Sequence, residues 1–262
     1  MLTAENRPWR IKRGWMSLAV TGIQDETSDT KTFLFEDAEE GGRTFDYRAG
    51  QYLTFRYDDI NSTKPPVRSY TMSSAPCDGN QIAVTVKRVQ GGLVSNWMCN
   101  ALKVGSVLRA RGPIGRFCYD PESDQQRLVM VAAGSGVTPF VSIMKDLSAT
   151  APSVAAILLV AYRTSRDIIC AGDLATLARN PRMRVQMTFS REAADSLPSE
   201  YWHGRISSQH IDRVCDPLRG GDSFANTTFM TCGPDDMMAT VVAHLRTQGV
   251  PESCIKQESF AS

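Results

Sequence analysis

The chain has 262 residues, of which 42% are hydrophobic and 22% charged, an ordinary balance for a globular protein with room for one large domain or two of common size. Its 29 Lys and Arg against 28 Asp and Glu leave a formal net charge of +1, which argues against nucleic-acid binding as the main task, since that needs a net basic face. No segment reaches the roughly 18 apolar residues that span a bilayer, and residues 1–14 are charged with no signal-peptide apolar core, so the expected location is cytoplasmic.

In chain order, residues 15–23 alternate moderately between apolar and polar, as do residues 30–36. Residues 52–57, 69–73 and 82–89 are further short runs rich in Val, Thr, Tyr and Phe, set apart by turn-prone breaks such as 39–42 and 75–80. Short strands with turn signals between them predict an antiparallel barrel or sandwich. One helix is predicted at about 94–101, opened by Gly91 and Gly92. The rhythm then changes. Residues 128–133 read as a buried strand, 139–147 as a helix, 155–161 as a second apolar strand and 173–178 as a short helix. A third strand at 184–189 and a fourth at 227–231 follow, then a helix at 237–248. Strands alternating with helices predict a parallel sheet covered on both faces. The polar, turn-prone stretch at 119–126 divides the chain into expected domains 1–120 and 127–262.

The seven cysteines are scattered, with no pair two to four residues apart. Structural zinc and iron–sulfur clusters draw ligands from close pairs or triplets, so no metal cluster is expected here, and the cysteines read as reduced, mostly buried thiols.

Three segments carry the chemistry. Arg68-Ser69-Tyr70-Thr71 lies on a predicted strand, so Arg68 and Tyr70 share a face. The arginine can fork onto a phosphate and the tyrosine can lie against a planar heterocycle; alone, the run also reads as a barrel strand with a surface arginine. Gly91-Gly92-Leu93-Val94-Ser95 opens a helix, where glycine permits close approach and the first N–H groups face an anion; a plain hairpin turn, with Ser95 as a cap, is the alternative. Gly134-Ser135-Gly136-Val137-Thr138-Pro139 follows a strand and starts a helix, the setting of a phosphate-binding turn, though it is not the full dinucleotide fingerprint. Thr231-Cys232-Gly233-Pro234 closes another strand of the same sheet, so Gly134 and Cys232 are expected to flank one crevice beyond the carboxyl ends of the strands. Cys232 is either a small thiol beside a ligand ring or a buried inert one.

These motifs, in this order, resemble the ferredoxin–NADP reductase superfamily. Arg68, Ser69, Tyr70 and Thr71 match its flavin signature, residues 91–95 its flavin-pyrophosphate loop, residues 134–139 its pyridine-nucleotide turn and residues 232–234 its Cys-Gly-Pro element. The similarity spans about residues 15–260 and is strongest to the reductase components of multicomponent oxygenases, including the carnitine and glycine-betaine demethylase type, and to hybrid-cluster-protein reductases. It implies an antiparallel six-stranded FAD-binding barrel followed by a doubly wound parallel-sheet NAD(P)H-binding domain. It further implies that Arg68 binds flavin phosphate, Ser69 and Val86 border the flavin, Tyr70 stacks on the isoalloxazine, and Thr71 sits near the hydride-accepting edge. Gly92, Leu93, Val94 and Ser95 hold the FAD pyrophosphate, and Gly134, Gly136, Thr138 and Pro139 shape the nucleotide site. Cys232, Gly233 and Pro234 lie by the nicotinamide. Glu258 orients Thr71, and Phe260 covers the ring face opposite Tyr70. Phe117 or Tyr119 is a candidate to stack on adenine.

The implied activity is hydride transfer from NADH, with NADPH as the alternative, onto FAD, then single-electron transfer to a 2Fe-2S ferredoxin domain or protein that feeds an oxygenase component. Ser190 and Arg191, after the third strand, are the candidate contacts for the adenosine ribose. Thr71 replaces the commoner serine. No CX4CX2C run occurs before the chain stops at Ser262, which implies either a chain cut short of an iron–sulfur domain or a separate carrier. A flavin-binding regulatory or relay module and a free flavin reductase are the rival readings. The three histidines, His203, His210 and His244, are expected to be surface or structural residues.

Overall fold

The computed structural model describes residues 10–216 and 224–260. The first half is an antiparallel sheet of six strands: β1 (Met16–Thr27), β2 (Thr30–Asp37), β3 (Tyr52–Arg56), β4 (Val67–Thr71), β5 (Ile82–Lys87) and β6 (Val107–Ile114). Their order is β4-β3-β6-β1-β2-β5. The two end strands meet at a bridge between Met72 and Val84 and through the Ser73 N–H, which donates to the Ala83 carbonyl at 2.8 Å. The sheet thus curls into a barrel that is joined along only a short part of its closing edge.

Alternation explains the interior. Met16, Leu18 and Val20 of β1, and Phe33 and Phe35 on β2, are at most 4% exposed, while Ser17, Ala19, Leu34 and Glu36 are less buried. Phe35 and Phe55 pack with ring centroids 5.3 Å apart; each buried side chain of this size contributes roughly 1.5–3 kcal/mol. The sixth strand was not among the runs picked out above. Its sequence, VLRARGPI, reads as charged and turn-prone, yet Leu108 and Ala110 point inward while Val107, Arg109 and Arg111 are exposed. Helix α1 (Leu93–Ala101) plugs one end with Val94 and Met98.

The second half is a parallel sheet of β7 (Arg127–Ala133), β8 (Ala155–Tyr162), β9 (Met183–Phe189), β10 (Trp202–His203), β11 (Thr228–Cys232) and β12 (Ile255–Glu258). Its order is β10-β9-β8-β7-β11-β12. Helices α2 (Thr138–Thr150) and α3 (Ala171–Leu177) cover one face through Phe140, Met144, Leu147, Leu174 and Leu177. Helices α4 (Ser208–Cys215) and α5 (Asp235–Thr247) cover the other through Ile211, Val214, Val241 and Leu245. The architecture is therefore the expected barrel followed by a doubly wound sheet. Three of its elements are too short or too mixed in polarity to be picked out from periodicity: β10, α4 and β12.

The chain runs outward from β7 to β8, β9 and β10, then returns to place β11 on the other side of β7. The switch point, where a crevice opens in such sheets, lies beyond the ends of β7 and β11. No helix among the described residues is long and apolar enough to cross a membrane.

Candidate active site at the switch point

Strands β7 and β11 end side by side, with Ala132 paired to Cys232. The turn Gly134–Val137 leaves β7, and its first residue has φ +55° with open space where a Cβ would stand. Glycine is needed there for conformation, and the space above the turn stays clear. Gly136 is needed for another reason: a Cβ on it would lie 2.2 Å from the Cys232 carbonyl oxygen. The turn therefore rests directly on the end of β11. Gly233, at φ +152°, closes the same contact from the other side, where a Cβ would come within 2.7 Å of Met237 and 3.1 Å of the Ala133 nitrogen. Thr138 donates its hydroxyl to the Ser135 carbonyl at 3.0 Å, and Pro139 occupies the first turn of α2. No side chain caps α2; the Thr138 N–H closes the preceding turn onto the Ser135 carbonyl.

The barrel meets this region along β5 and the segment that follows β4. Ser142 of α2, fully buried, donates to the Ser74 carbonyl at 2.6 Å, three residues beyond Thr71, and the Gly134–Val137 turn lies against β5. On β4, Arg68 is exposed and donates to the Val67 carbonyl at 2.8 Å. Ser69 shares a hydroxyl hydrogen bond of 2.9 Å with Thr54. Tyr70 is half-buried at the barrel mouth, its ring 6.4 Å from Phe55, and burial pushes its hydroxyl up to about 12. Thr71 is 4% exposed.

Two expectations need correction. Val86, at 1% exposure, belongs to the barrel core and packs instead of presenting its side chain. Phe117 is 6% exposed and packs against Phe140 at 5.7 Å, so it is not a free platform for an adenine; Tyr119 is only half-buried.

The loop before α1 is fastened from behind. Gly91 has φ +72°, and the Gly92 N–H closes a turn onto the Val89 carbonyl at 2.9 Å. Ser95 Oγ accepts the Val89 N–H at 3.1 Å, and Asn96 Nδ2 donates to the Val89 carbonyl at 2.9 Å. The Ser95 hydroxyl thus holds the loop, and Asn96, which sequence reasoning did not single out, shares the task. With no side-chain cap on α1, its first N–H groups are left for an anion.

Strand β12 completes the crevice by pairing Glu258 with Cys232. Cys232 is fully buried, and burial pushes its thiol well above the ordinary range, with the Glu258 carboxylate adding to the shift. The residue lies under the turn that leaves β7, at the strand end that borders the crevice. Burial pushes the Glu258 carboxyl up to about 7, and its buried Oε2 has no hydrogen-bond partner. Cys118 lies near this carboxylate: burial chiefly, then the Arg48 charge opposing and Glu258 adding, leave its thiol at about 11. Phe260 follows, 40% exposed. At the other end, Ser190 and Arg191 leave β9 with their N–H groups on the Tyr162 and Arg163 carbonyls at 3.1 and 2.8 Å. The next residue, Glu192, accepts from the Ser165 N–H and hydroxyl at 2.8 and 2.7 Å.

An FAD and a nicotinamide nucleotide fit these residues. Two glycine-opened helix starts suit pyrophosphates, and an orphaned carboxylate oxygen awaits a hydrogen-bond donor. Of the residues singled out from sequence, Gly134, Gly136, Cys232, Gly233 and Glu258 converge at the switch point.

Residues 17–119 match the family model for the oxidoreductase FAD-binding domain, and residues 130–243 match that for the oxidoreductase NAD-binding domain. The chain is 31% identical over 245 residues to the ferredoxin reductase component of 3-ketosteroid-9-alpha-monooxygenase from Rhodococcus rhodochrous, covering 94% of this chain and 65% of that one. It is 29% identical over 242 residues to the glycine betaine monooxygenase reductase subunit of Chromohalobacter salexigens, covering 92% and 62%. The chain spans just under two thirds of the length of both relatives. Among solved structures, the flavohem-like FAD/NAD-binding domain of nitric oxide dioxygenase from Vibrio cholerae O1 biovar El Tor superposes with a TM-score of 0.80 at 25% identity, over 94% of this chain and 99% of that one.

Proposed function

The chain belongs to the oxidoreductase family that joins an FAD-binding domain to an NAD-binding domain, and on that footing we propose that it is the NAD(P)H-oxidising reductase component of an oxygenase system. The observation that carries this reading is the crevice between the ends of β7 and β11, which has β5 beside its glycine turn and the unpartnered Glu258 oxygen on the strand next to β11. Residues 1–120 are taken as the FAD-binding unit and residues 127–262 as the NAD(P)H-binding unit.

The chemistry supplied when FAD is bound is two-electron hydride uptake and one-electron release. The chain's own residues place and enclose it. Arg68 takes a flavin phosphate, and the N–H groups of Gly92, Leu93, Val94 and Ser95 take the pyrophosphate. Tyr70 offers its ring, and Ser69 and Thr71 line the same strand. Gly134, Gly136, Thr138 and Pro139 form the nucleotide pyrophosphate turn. Cys232, Gly233 and Pro234 border the nicotinamide end, with Phe260 covering the flavin. Glu258, raised to about 7 by burial, is divided between its protonated and ionised forms at neutral pH, so it can offer or accept a hydrogen bond there.

Ser190 and Arg191 would meet the adenosine ribose. Glu192 keeps a carboxylate in the same loop, which disfavours a 2′-phosphate, and NADH is therefore the proposed donor, by at least roughly tenfold in kcat/KM, about 1.4 kcal/mol. The relatives named as ferredoxin reductase and monooxygenase reductase components support a 2Fe-2S ferredoxin domain or protein as acceptor and an oxygenase as its destination.

Anaerobic titration of the flavin-loaded protein with NADH and with NADPH tests the reading. Bleaching of the yellow band by NADH supports it. A yellow protein that neither nucleotide bleaches is a relay or regulatory module, and loss of flavin on gel filtration marks a free flavin reductase.

A further inference from the structure

The seam between the barrel and the parallel sheet is not packed dry throughout. A cavity of about 270 Å³ opens in it, lined among others by Glu26, Ser73, Ser74, Lys145 and Cys170. Orientation across this stretch rests on a few polar struts. One is the Ser142 hydroxyl on the Ser74 carbonyl. A second joins β1 to the start of α3: Glu26 Oε2 accepts the Cys170 N–H at 2.9 Å. The third is Lys145. One turn along α2 from Ser142, its ammonium lies 2.6 Å from Asp78 and 3.2 Å from Asp173.

Asp78 belongs to the short turn Pro76–Asp78 that follows β4, and it also accepts the Ala75 N–H at 2.8 Å. Asp173 belongs to α3. A single cation therefore joins the segment leaving the strand of Arg68 and Tyr70 to the helix that starts at the glycine turn. The surroundings are otherwise acidic. Asp146 is near enough to Asp78 that its carboxyl, raised first by burial, is raised further by that charge. Without Lys145, Asp78, Asp146 and Asp173 would repel one another across the seam.

We propose that Lys145 is a positioning residue: through Asp78 it sets the registration of the nucleotide turn against the flavin strand, and so the alignment on which hydride transfer depends. The proposal rests on the reductase reading, and its test keeps the two separable. A displacement of about 1 Å between reacting groups costs up to about 10²-fold in rate.

In flavin-loaded protein, Lys145→Met is expected to bind wild-type amounts of FAD and to keep its KM for NADH within about threefold, while kcat falls by about tenfold or more. Lys145→Arg is expected to recover most of the rate. Adding Asp78→Asn to Lys145→Met, which removes the repulsion but keeps the oxygen that caps Ala75, is expected to recover part of it. Hydrogen exchange supplies a readout without turnover: amides of residues 73–78 should exchange about tenfold faster in Lys145→Met than in wild type. If Lys145→Met does not fold, Asp78→Asn alone carries the same expectations at reduced size. Unchanged kcat with unchanged exchange at residues 73–78 overturns the proposal, as does a loss that Lys145→Arg fails to recover. A wild-type protein that neither NADH nor NADPH bleaches would sink the reductase reading instead, and the exchange result would still judge the seam.

Discussion

Gly136→Ala is the most direct test of how the crevice is built. The added methyl would stand 2.2 Å from the Cys232 carbonyl oxygen and 2.6 Å from its carbon. Cβ atoms do not sit closer than 3.0 Å to such neighbours, so the turn and the end of β11 must part by about 0.8 Å. Both sides of the contact are backbone, and no rotamer can relieve it. Overpacking of this kind costs about 2–3 kcal/mol, which for a chain of this size lowers Tm by roughly 5–10 °C. Because the same turn would carry the nucleotide, kcat/KM for NADH should fall by about 10²-fold. The control is Gly172→Ala, where a Cβ meets nothing within 4 Å on helix α3; alanine there should stabilise by up to about 1 kcal/mol. Thermal unfolding and steady-state kinetics measure both effects. A Gly136→Ala protein that melts within about 1 °C of wild type with its kcat/KM intact would refute the claim that the turn rests on the strand end.

Arg68→Ala should weaken FAD retention by about tenfold or more, since a charge-assisted phosphate contact contributes roughly 1.5–3 kcal/mol. Exposed Arg109 on the barrel wall is the control, in preference to Arg88, which binds Asn100 and the Cys99 carbonyl. Full flavin content in Arg68→Ala at limiting flavin rules the phosphate role out. Cys232→Ala should keep its flavin but slow flavin reduction in stopped-flow mixing, with Cys254→Ala unchanged; Cys170 lies at the seam and is no control. Equal rates remove Cys232 from the site. Glu258 makes stability depend on pH. Its folded value is raised to about 7 from an ordinary 4.5, so its stabilising contribution is fully present below about pH 4.5 and is lost as pH rises through 7. Between pH 5 and 8 the apoprotein should lose about 1–2 kcal/mol relative to Glu258→Gln, the partial exposure of the side chain limiting the effect. Parallel denaturation curves for the two proteins would refute it.

Much of the fold was legible because burial imposes periodicity. Leu18 and Val20 alternate with the less buried Ser17 and Ala19, and residues 128–133 are apolar without a break because that strand is covered on both faces. Strand β6 was hidden because arginines at 109 and 111 flank its inward residues and only the spacing of Leu108 and Ala110 betrays the pleat. The site was legible where backbone conformation demands a residue type, as at Gly134 and Gly136. It was less so where one side chain can serve two ends. Ser95 looked like a ligand contact, and its hydroxyl instead holds the Val89 N–H. Phe117 looked like a stacking surface and packs into the core. Exposure is a tertiary property, and nothing local in the chain distinguishes an aromatic that waits for a ligand from one already packed.

The short closure of the barrel has a consequence for where a planar heterocycle can lie. Strand β4 is hydrogen-bonded along its length to β3 alone, and the far side of the barrel meets the chain just beyond it, at Met72, Ser73 and Ser74. Peptide groups on the remaining free edge must find partners outside the barrel, in water or in a ligand. The edges of a flavin ring offer both donors and acceptors, so it can act as a surrogate neighbour where a seventh strand would otherwise be wanted. A cylinder zipped shut along that whole line would be more self-sufficient and would present a sealed wall to the same molecule.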